Sequence, residues 1–209
     1  MIKVKICGIT NLEDALASIA AGCDALGFVF YKKSPRYIMP SKARAIIKVL
    51  PKDILKIGVF VNEKEKEIKR VAKLCGFDLL QFHGEESPEF CSKFSGFKII
   101  KAFRVGGGRD LSNISKYKSF AYLFDTFSKS EIGGTGKEFD WKLVRHFGNI
   151  KRPIFLSGGL NKENVLKAIQ TVRPQWVDAC TCVEARPGKK DYKKIRDFIQ
   201  QAKQNGGKR

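Results

Sequence analysis

The sequence predicts an α/β fold: a single (β/α)8 barrel, with eight parallel strands ringed by helices. Three observations lead there. Eight short apolar runs recur along the chain, amphipathic stretches at helical spacing separate them, and no segment has the composition of an interdomain linker. A helix between consecutive strands carries the chain back across the sheet, so neighbouring strands run parallel. Eight such units close into a barrel, here near the small end of the usual size range. A doubly wound open sheet is the alternative, but no GxGxxG follows the first strand. The segment "VGGGRD" (105–110) follows the fifth strand and lacks that spacing.

Each unit has its own signal. "KVKIC" (3–7) alternates apolar residues, and "NLEDALASIAAG" (11–22) opens on Asn11 as a cap and closes on Gly22. "ALGFVF" (25–30), "LKIGVFV" (55–61) and "LLQFH" (79–83) read as buried strands. "PSKARAIIKVLP" (40–51) and "EKEKEIKRVAKLCG" (63–76) between them repeat apolar residues at i, i+3 and i+4. "SPEFCSKF" (87–94) is a shorter helix before the strand "FKIIKAF" (97–103). "DLSNISKY" (110–117) precedes "AYLFD" (121–125), and "DWKLVRHF" (140–147) precedes "PIFLSG" (153–158). "NKENVLKAIQTVRP" (161–174), "WVDAC" (176–180) and "KDYKKIRDFIQQAK" (190–203) complete the series. The barrel thus spans 1–203, and "QNGGKR" (204–209) reads as a disordered tail.

Composition narrows the setting. With 209 residues and 43% hydrophobic content the chain can bury a sizeable core. No apolar run approaches the ~20 residues of a membrane span, and "MIKVKICGIT" lacks the long apolar region of a signal peptide. A soluble cytoplasmic protein without membrane contact is expected. The six cysteines are scattered without a CxxC pair, which favours reduced thiols. The net charge of +19 raises the question of a nucleic-acid partner. However, runs such as "EKEKEIKR" mix acids with bases at helical spacing, the pattern of solvated helix faces rather than of a nucleic-acid site.

Barrel geometry selects the working residues, because catalytic groups lie at the C-terminal ends of the strands and in the loops after them. That rule selects Cys7, Arg36, Gln81, His83, Lys101, Arg104 and Asp125. It also selects "SGG" (157–159) after strand seven and "DACTCVE" (178–184), with Asp178, after strand eight. A strand-end cysteine is by itself more often a small buried hydrophobe than a reactive thiol. Loops after strands seven and eight often hold phosphate through glycine N–H groups and a helix N-terminus, and Gly158 and Gly159 suit that use. Arg36 carries a fork suited to a carboxylate.

Several stretches are more specific than barrel architecture. "KICGIT", "GFVFYKKSPRYI", "GVFVNE" (58–63), "LLQFHGEE" (79–86), "LFDT", "GGTGKEFDW" (133–141), "LSGGLNKENV" (156–165) and "VEARPGKKD" (183–191) occur in order. Together they resemble the phosphoribosylanthranilate isomerase family of tryptophan biosynthesis. The resemblance implies an Amadori rearrangement of N-(5′-phosphoribosyl)anthranilate to 1-(2-carboxyphenylamino)-1-deoxyribulose 5-phosphate, without metal or cofactor. It implies Cys7 as general base, Asp125 as general acid and Arg36 on the anthranilate carboxylate. Gly158, Gly159, Cys180, Thr181 and Cys182 would hold the phosphate, with Gln81, His83 and Asp178 lining the site. "GGTGK" would be a sixth loop that closes over the substrate. The implied partner is a small phosphorylated molecule.

Two features sit awkwardly with that reading. A thiolate base and a protonated aspartate invert solution order: reference values near 8.5 and 3.9 differ by about 4.6 units, or ~6 kcal/mol. Cationic neighbours for Cys7 and a poorly solvated Asp125 are therefore expected. The eighth loop reads "DACTCVE" where the family usually has D-V-S-S-G-V-E, so Cys182 stands at a glycine position and is expected to strain or shift the loop. C-x-C hints at a soft metal, but no third ligand is placed nearby, so no metal is expected. Two other functions stay open: another phosphosugar Amadori isomerase, and a basic barrel that has lost catalysis and serves as a binding protein.

Overall fold

A computed structural model of the chain describes residues 1–105, 112–126, 141, 144 and 150–205. Eight parallel strands close into a barrel: β1 (Lys3–Cys7), β2 (Ala25–Val29), β3 (Leu55–Phe60), β4 (Leu79–Phe82), β5 (Lys98–Val105), β6 (Ala121–Thr126), β7 (Ile154–Leu156) and β8 (Trp176–Ala179). Closure is the β1–β8 pairing, with Lys5 opposite Asp178 and Ile6 opposite Ala179.

Two cores follow from the alternation of strand side chains. Cys7, Ala25, Val29, Ile57, Val59 and Leu123 fill the barrel, while Ile6, Leu26, Phe28, Phe60 and Phe82 face the helices. Phe155 and Trp176 stack at 4.8 Å with planes 10° apart near the N-terminal end of the barrel interior.

The described helices are α1 (Leu12–Ala20), α2 (Pro40–Ile47), α3 (Glu65–Cys75), α4 (Pro88–Ser92), α5 (Val165–Val172) and α6 (Tyr192–Asn205). Asn11 caps α1 as expected, its Oδ1 accepting from the Asp14 N–H at 2.9 Å. The helix expected over 161–174 begins only at Val165. The Asn161 Oδ1 accepts from the N–H groups of Glu163 and Asn164 at 2.9 and 3.0 Å, a local turn that competes with helix. Instead of a helix over 110–117 there is a 3-10 turn, Ser112–Lys116. Of the stretch 140–147 only Trp141 and Val144 are described, both buried. The sixth loop "GGTGK" and residues 206–209 lie outside the described residues, and α6 runs two residues past the expected end at 203.

A small hairpin not foreseen from sequence, β9 (Glu184–Arg186) and β10 (Lys189–Lys190), follows β8. Its strands are too short to leave an alternation pattern. The six cysteines are free thiols. Among the described residues no helix is long and apolar enough to cross a membrane.

Candidate active site

Strand β1 delivers Cys7 to the C-terminal mouth, and its neighbour makes room for the thiol. A Cβ on Gly27, the residue paired with Cys7 on β2, would lie 2.7 Å from the Cys7 Sγ. The backbone N–H groups of Gly8 and Ile9 both donate to the Gly27 carbonyl at 3.0 Å, fixing the turn after the thiol.

Beneath Cys7 lies an ion pair inside the barrel. The Lys5 Nζ is 2.8 Å from the Asp178 Oδ1, with side chains 0% and 4% exposed. Lys5 also hydrogen-bonds the Cys7 sulfur. Burial works against the ammonium, but Asp178 and Cys7 more than offset it, and its pKa is held above the ordinary lysine value. Asp178, foreseen as lining the site, is the counter-ion of this lysine.

Beside Cys7, on the adjoining strand end, stands Cys180, and the two thiols share a hydrogen bond. That bond, then burial, pushes Cys7 well above the ordinary thiol value, against the pull of Lys5. The same bond lowers Cys180 to about 7, with burial opposing and Lys190 and Arg36 assisting. The pair therefore titrates as one acid: above about pH 7 it carries one negative charge and keeps one proton. The cationic neighbour expected for Cys7 is present as Lys5. The easily lost proton, however, belongs to the dithiol rather than to Cys7 alone.

Arg36 reaches the same rim from the loop after β2. Its Nε donates to both carboxylate oxygens of Glu184 at 3.0 and 3.2 Å. Its Nη2 donates to the Glu184 Oε2 at 2.9 Å and to the Thr181 Oγ1 at 3.3 Å. Nη1 is the nitrogen these bonds do not use. Burial opposes the guanidinium charge, and Glu184 raises its pKa in spite of that. Glu184, 6% exposed, also takes a bond from the Lys190 Nζ at 3.2 Å and from the Gly188 N–H at 3.3 Å.

Across the mouth, two strands from β8, β6 supplies Asp125. The His83 Nε2 lies 3.0 Å from the Asp125 Oδ2, and the His83 Nδ1 lies 2.8 Å from the Gln81 Nε2. Two proton arrangements satisfy this row. With the Gln81 Nε2 donating to Nδ1, the ring proton is on Nε2 and faces a carboxylate. With the amide reversed, Nδ1–H donates to the amide oxygen and a protonated Asp125 donates to Nε2. The Gln81 Oε1 is buried without a hydrogen-bond partner among the described residues.

The remaining rim residues divide. Gly158 and Gly159 both have positive φ, 88° and 65°, so a side chain would be strained at either position. The Asn164 Nδ2 pins the Gly159 carbonyl at 3.0 Å. β7 and β8 are neighbours, so this turn lies beside the Thr181–Val183 3-10 turn. The strain expected at Cys182 is corrected here: among the described residues only Asn62 and Arg173 combine a side chain with positive φ. Lys101 is turned away from the mouth, its Nζ 2.9 Å from the Glu86 Oε2 and 2.7 Å from the Gly84 carbonyl. Its neighbours Ile100 and Ala102 take the inward positions. Arg104, on the same face as Ala102 and opposite Asp125 in the register, is 12% exposed and stands 3.9 Å from Glu85. A cavity of about 1570 Å³ opens at the opposite, N-terminal end between Lys3, Phe97, Phe155 and Trp176, and none of the candidate residues lines it.

The model of one protein family, N-(5′phosphoribosyl)anthranilate (PRA) isomerase, matches residues 4–201. The chain belongs to this family. An N-(5′-phosphoribosyl)anthranilate isomerase of Trichlorobacter lovleyi is 47% identical over 98% of this chain and 99% of its own. That of Thermotoga maritima is 50% identical over 97% and 99%. A crystal structure of the Thermotoga maritima enzyme matches with a TM-score of 0.92 at 49% identity over 97% of this chain and 99% of that one. A phosphoribosyl anthranilate isomerase in complex with reduced 1-(o-carboxyphenylamino)-1-deoxyribulose 5-phosphate matches with a TM-score of 0.88 at 47% identity, over the same shares.

Within this family member, Lys5, Glu184 and Lys190 are the site residues that sequence reasoning passed over. Lys5 had a legible signal. It precedes Cys7 by two, hence shares its face, and a lysine on the inner face of a barrel strand requires an acid. Glu184 lies in the selected stretch "DACTCVE" but was given no role there, and Lys190 gave no signal, because the hairpin that joins them to Arg36 was not foreseen.

Proposed function

We propose that Cys7 and Asp125 are the base and acid with which this chain carries out its family's reaction, the isomerisation of N-(5′-phosphoribosyl)anthranilate in tryptophan biosynthesis. The carrying observation is the pairing of a cation-flanked dithiol with a His83-supported carboxylate at one barrel mouth.

The chemistry needs one proton delivered and one removed. Asp125 gives its proton to the ribose ring oxygen, the C1′–O bond breaks and a Schiff base forms. Cys7, as thiolate, takes the C2′ proton, and the electron pair shifts to give an enolamine. Return of a proton to C1′ with loss of the 2′-hydroxyl proton leaves the ketose. Acid and base each contribute ~10²–10⁴-fold. The singly ionised pair keeps its proton on Cys7, so Cys7 acts as the base once that proton passes across the shared contact to Cys180. Lys5 beneath favours charge on Cys7.

Binding follows the same geometry. The anthranilate carboxylate takes the unused Nη1 edge of Arg36, and Glu184 fixes the fork's orientation. The phosphate is held by the main chain of Gly158 and Gly159 and by the 180–182 turn, where the Thr181 hydroxyl accepts from Arg36.

The test is turnover by the purified chain of freshly made phosphoribosylanthranilate, followed as loss of anthranilate fluorescence, beside the analogous histidine-pathway aminoaldose. Turnover of the first substrate alone is expected. Turnover of only the second would overturn the reading.

A further inference from the structure

The active-site cysteines offer a chemistry that isomerisation does not use. Ile6 pairs with Ala179, the last residue of β8, so Cys7 at the end of β1 and Cys180 just past the end of β8 follow side by side. Adjacent strands lie ~4.8 Å apart, inside the Cα separation a disulfide spans. Both side chains join the same inner cluster, Cys7 buried within it and Cys180 partly buried against it. The space around them is shaped by glycine: a Cβ on Gly8 would lie 3.1 Å from the Cys180 Sγ, and one on Gly27 would lie 2.7 Å from the Cys7 Sγ.

We propose that Cys7 and Cys180 are a redox modification site, closing to a reversible disulfide when a peroxide reaches the barrel mouth. Cys180 is the partly exposed member and meets the oxidant first, while Cys7 is only 7% exposed and acts as resolving thiol. Arg36 and Lys190 stabilise the Cys180 thiolate that such a reaction requires. The thiols of Cys23, Cys75 and Cys91 are buried and pushed up to about 12, 11 and 11, mainly by that burial, which keeps them protonated and unreactive.

The steps balance. The Cys180 thiolate attacks hydrogen peroxide, an S–O bond forms, the O–O bond breaks, and hydroxide leaves to become water. Cys7 then attacks the sulfenic sulfur, the S–S bond forms, the S–O bond breaks, and the departing hydroxide takes the Cys7 proton as a second water. Two thiols are oxidised by two electrons and one peroxide is reduced. A dithiol reverses the step by exchange, returning both thiols and itself becoming the disulfide.

The loss of activity that should accompany closure rests on Cys7 being the base, but the cross-link itself does not. The reduced full-length chain is treated with hydrogen peroxide, quenched by alkylation, and read by intact mass and peptide mapping. We expect loss of two hydrogens, a Cys7–Cys180 linked peptide, roughly tenfold less alkylated Cys7, and recovery of all three readouts with dithiothreitol. In Cys180→Ser no linked peptide should form, and peroxide should not cause a dithiothreitol-reversible loss of Cys7 alkylation. A Cys180–Cys182 link, or oxidation that ends in cysteine acids dithiothreitol does not reverse, would overturn the proposal. A Cys7–Cys180 linked chain that still turned over would uphold the cross-link and refute Cys7 as the base.

Discussion

Replacing Gly27 by alanine adds one methyl group where the Cys7 sulfur already sits. The new Cβ would lie 2.7 Å from the Sγ and 3.2 Å from the Cys7 Cα and the Lys5 Cε, all inside the closed barrel. Overpacking of that kind costs about 1–3 kcal/mol. Stiffening of the unfolded chain returns about 0.4–1 kcal/mol, because Gly27 does not need a left-handed backbone. A net destabilisation of about 1–2 kcal/mol is expected in urea unfolding. Relief comes from removing the sulfur: in a Cys7→Ala background the 2.7 Å clash is gone, and the same substitution should cost less, through the remaining 3.2 Å contacts alone. The coupling of about 1 kcal/mol or more is read from a double-mutant cycle. With Cys7 present, kcat should fall roughly ten- to a hundred-fold with little change in KM, since the base is displaced while the binding groups stay. Equal stability losses in both backgrounds, or full activity of Gly27→Ala, would refute the packing argument.

Three further outcomes are expected. kcat/KM should rise with pH through about 7 as the dithiol loses its first proton, and Cys180→Ser should move that limb upward, toward a lone buried thiol; an unmoved limb would separate Cys180 from the base. Lys5→Met leaves Asp178 charged and unpaired inside the barrel and should cost about 3–5 kcal/mol at neutral pH, most of it recovered by adding Asp178→Leu; an equal loss in the double variant would contradict the pairing. Arg36→Ala should weaken product binding by about 1.5–3 kcal/mol and weaken an aniline analogue without the carboxylate much less; equal losses would mean that Arg36 only holds Glu184 and the eighth loop.

The architecture was legible because each strand and each longer helix carries its own period, and the ends of β1, β4 and β6 could be placed to within a residue. That was enough to bring Cys7, Gln81, His83 and Asp125 to one rim. Lys101 shows the limit: one position of alternation decides whether a side chain enters the barrel or faces the helices, and the strand's apolar flanks do not reveal which. The delayed start of α5 arose from the side chain of Asn161 competing for backbone N–H groups, a preference that apolar periodicity overlooks. Partners fixed by long-range geometry were invisible. The grip of Glu184 on Arg36 spans 148 positions and depends on a hairpin of two short strands. "DACTCVE" was legible as a departure, but the backbone strain expected of it is not there. Cys182 sits in a 3-10 turn without positive φ, whereas Cys180, just past the end of β8, is the departure that stands beside Cys7.

The central claim is that Cys7 removes the C2′ proton, and the most direct measurement is single-turnover isomerisation by Cys7→Ala beside its affinity for the reduced product. A rate at least ~10²-fold below that of the parent chain, with the product Kd unchanged within about twofold, is the predicted result. Turnover near the parent rate would contradict the account and return Cys7 to the role of a buried strand-end hydrophobe.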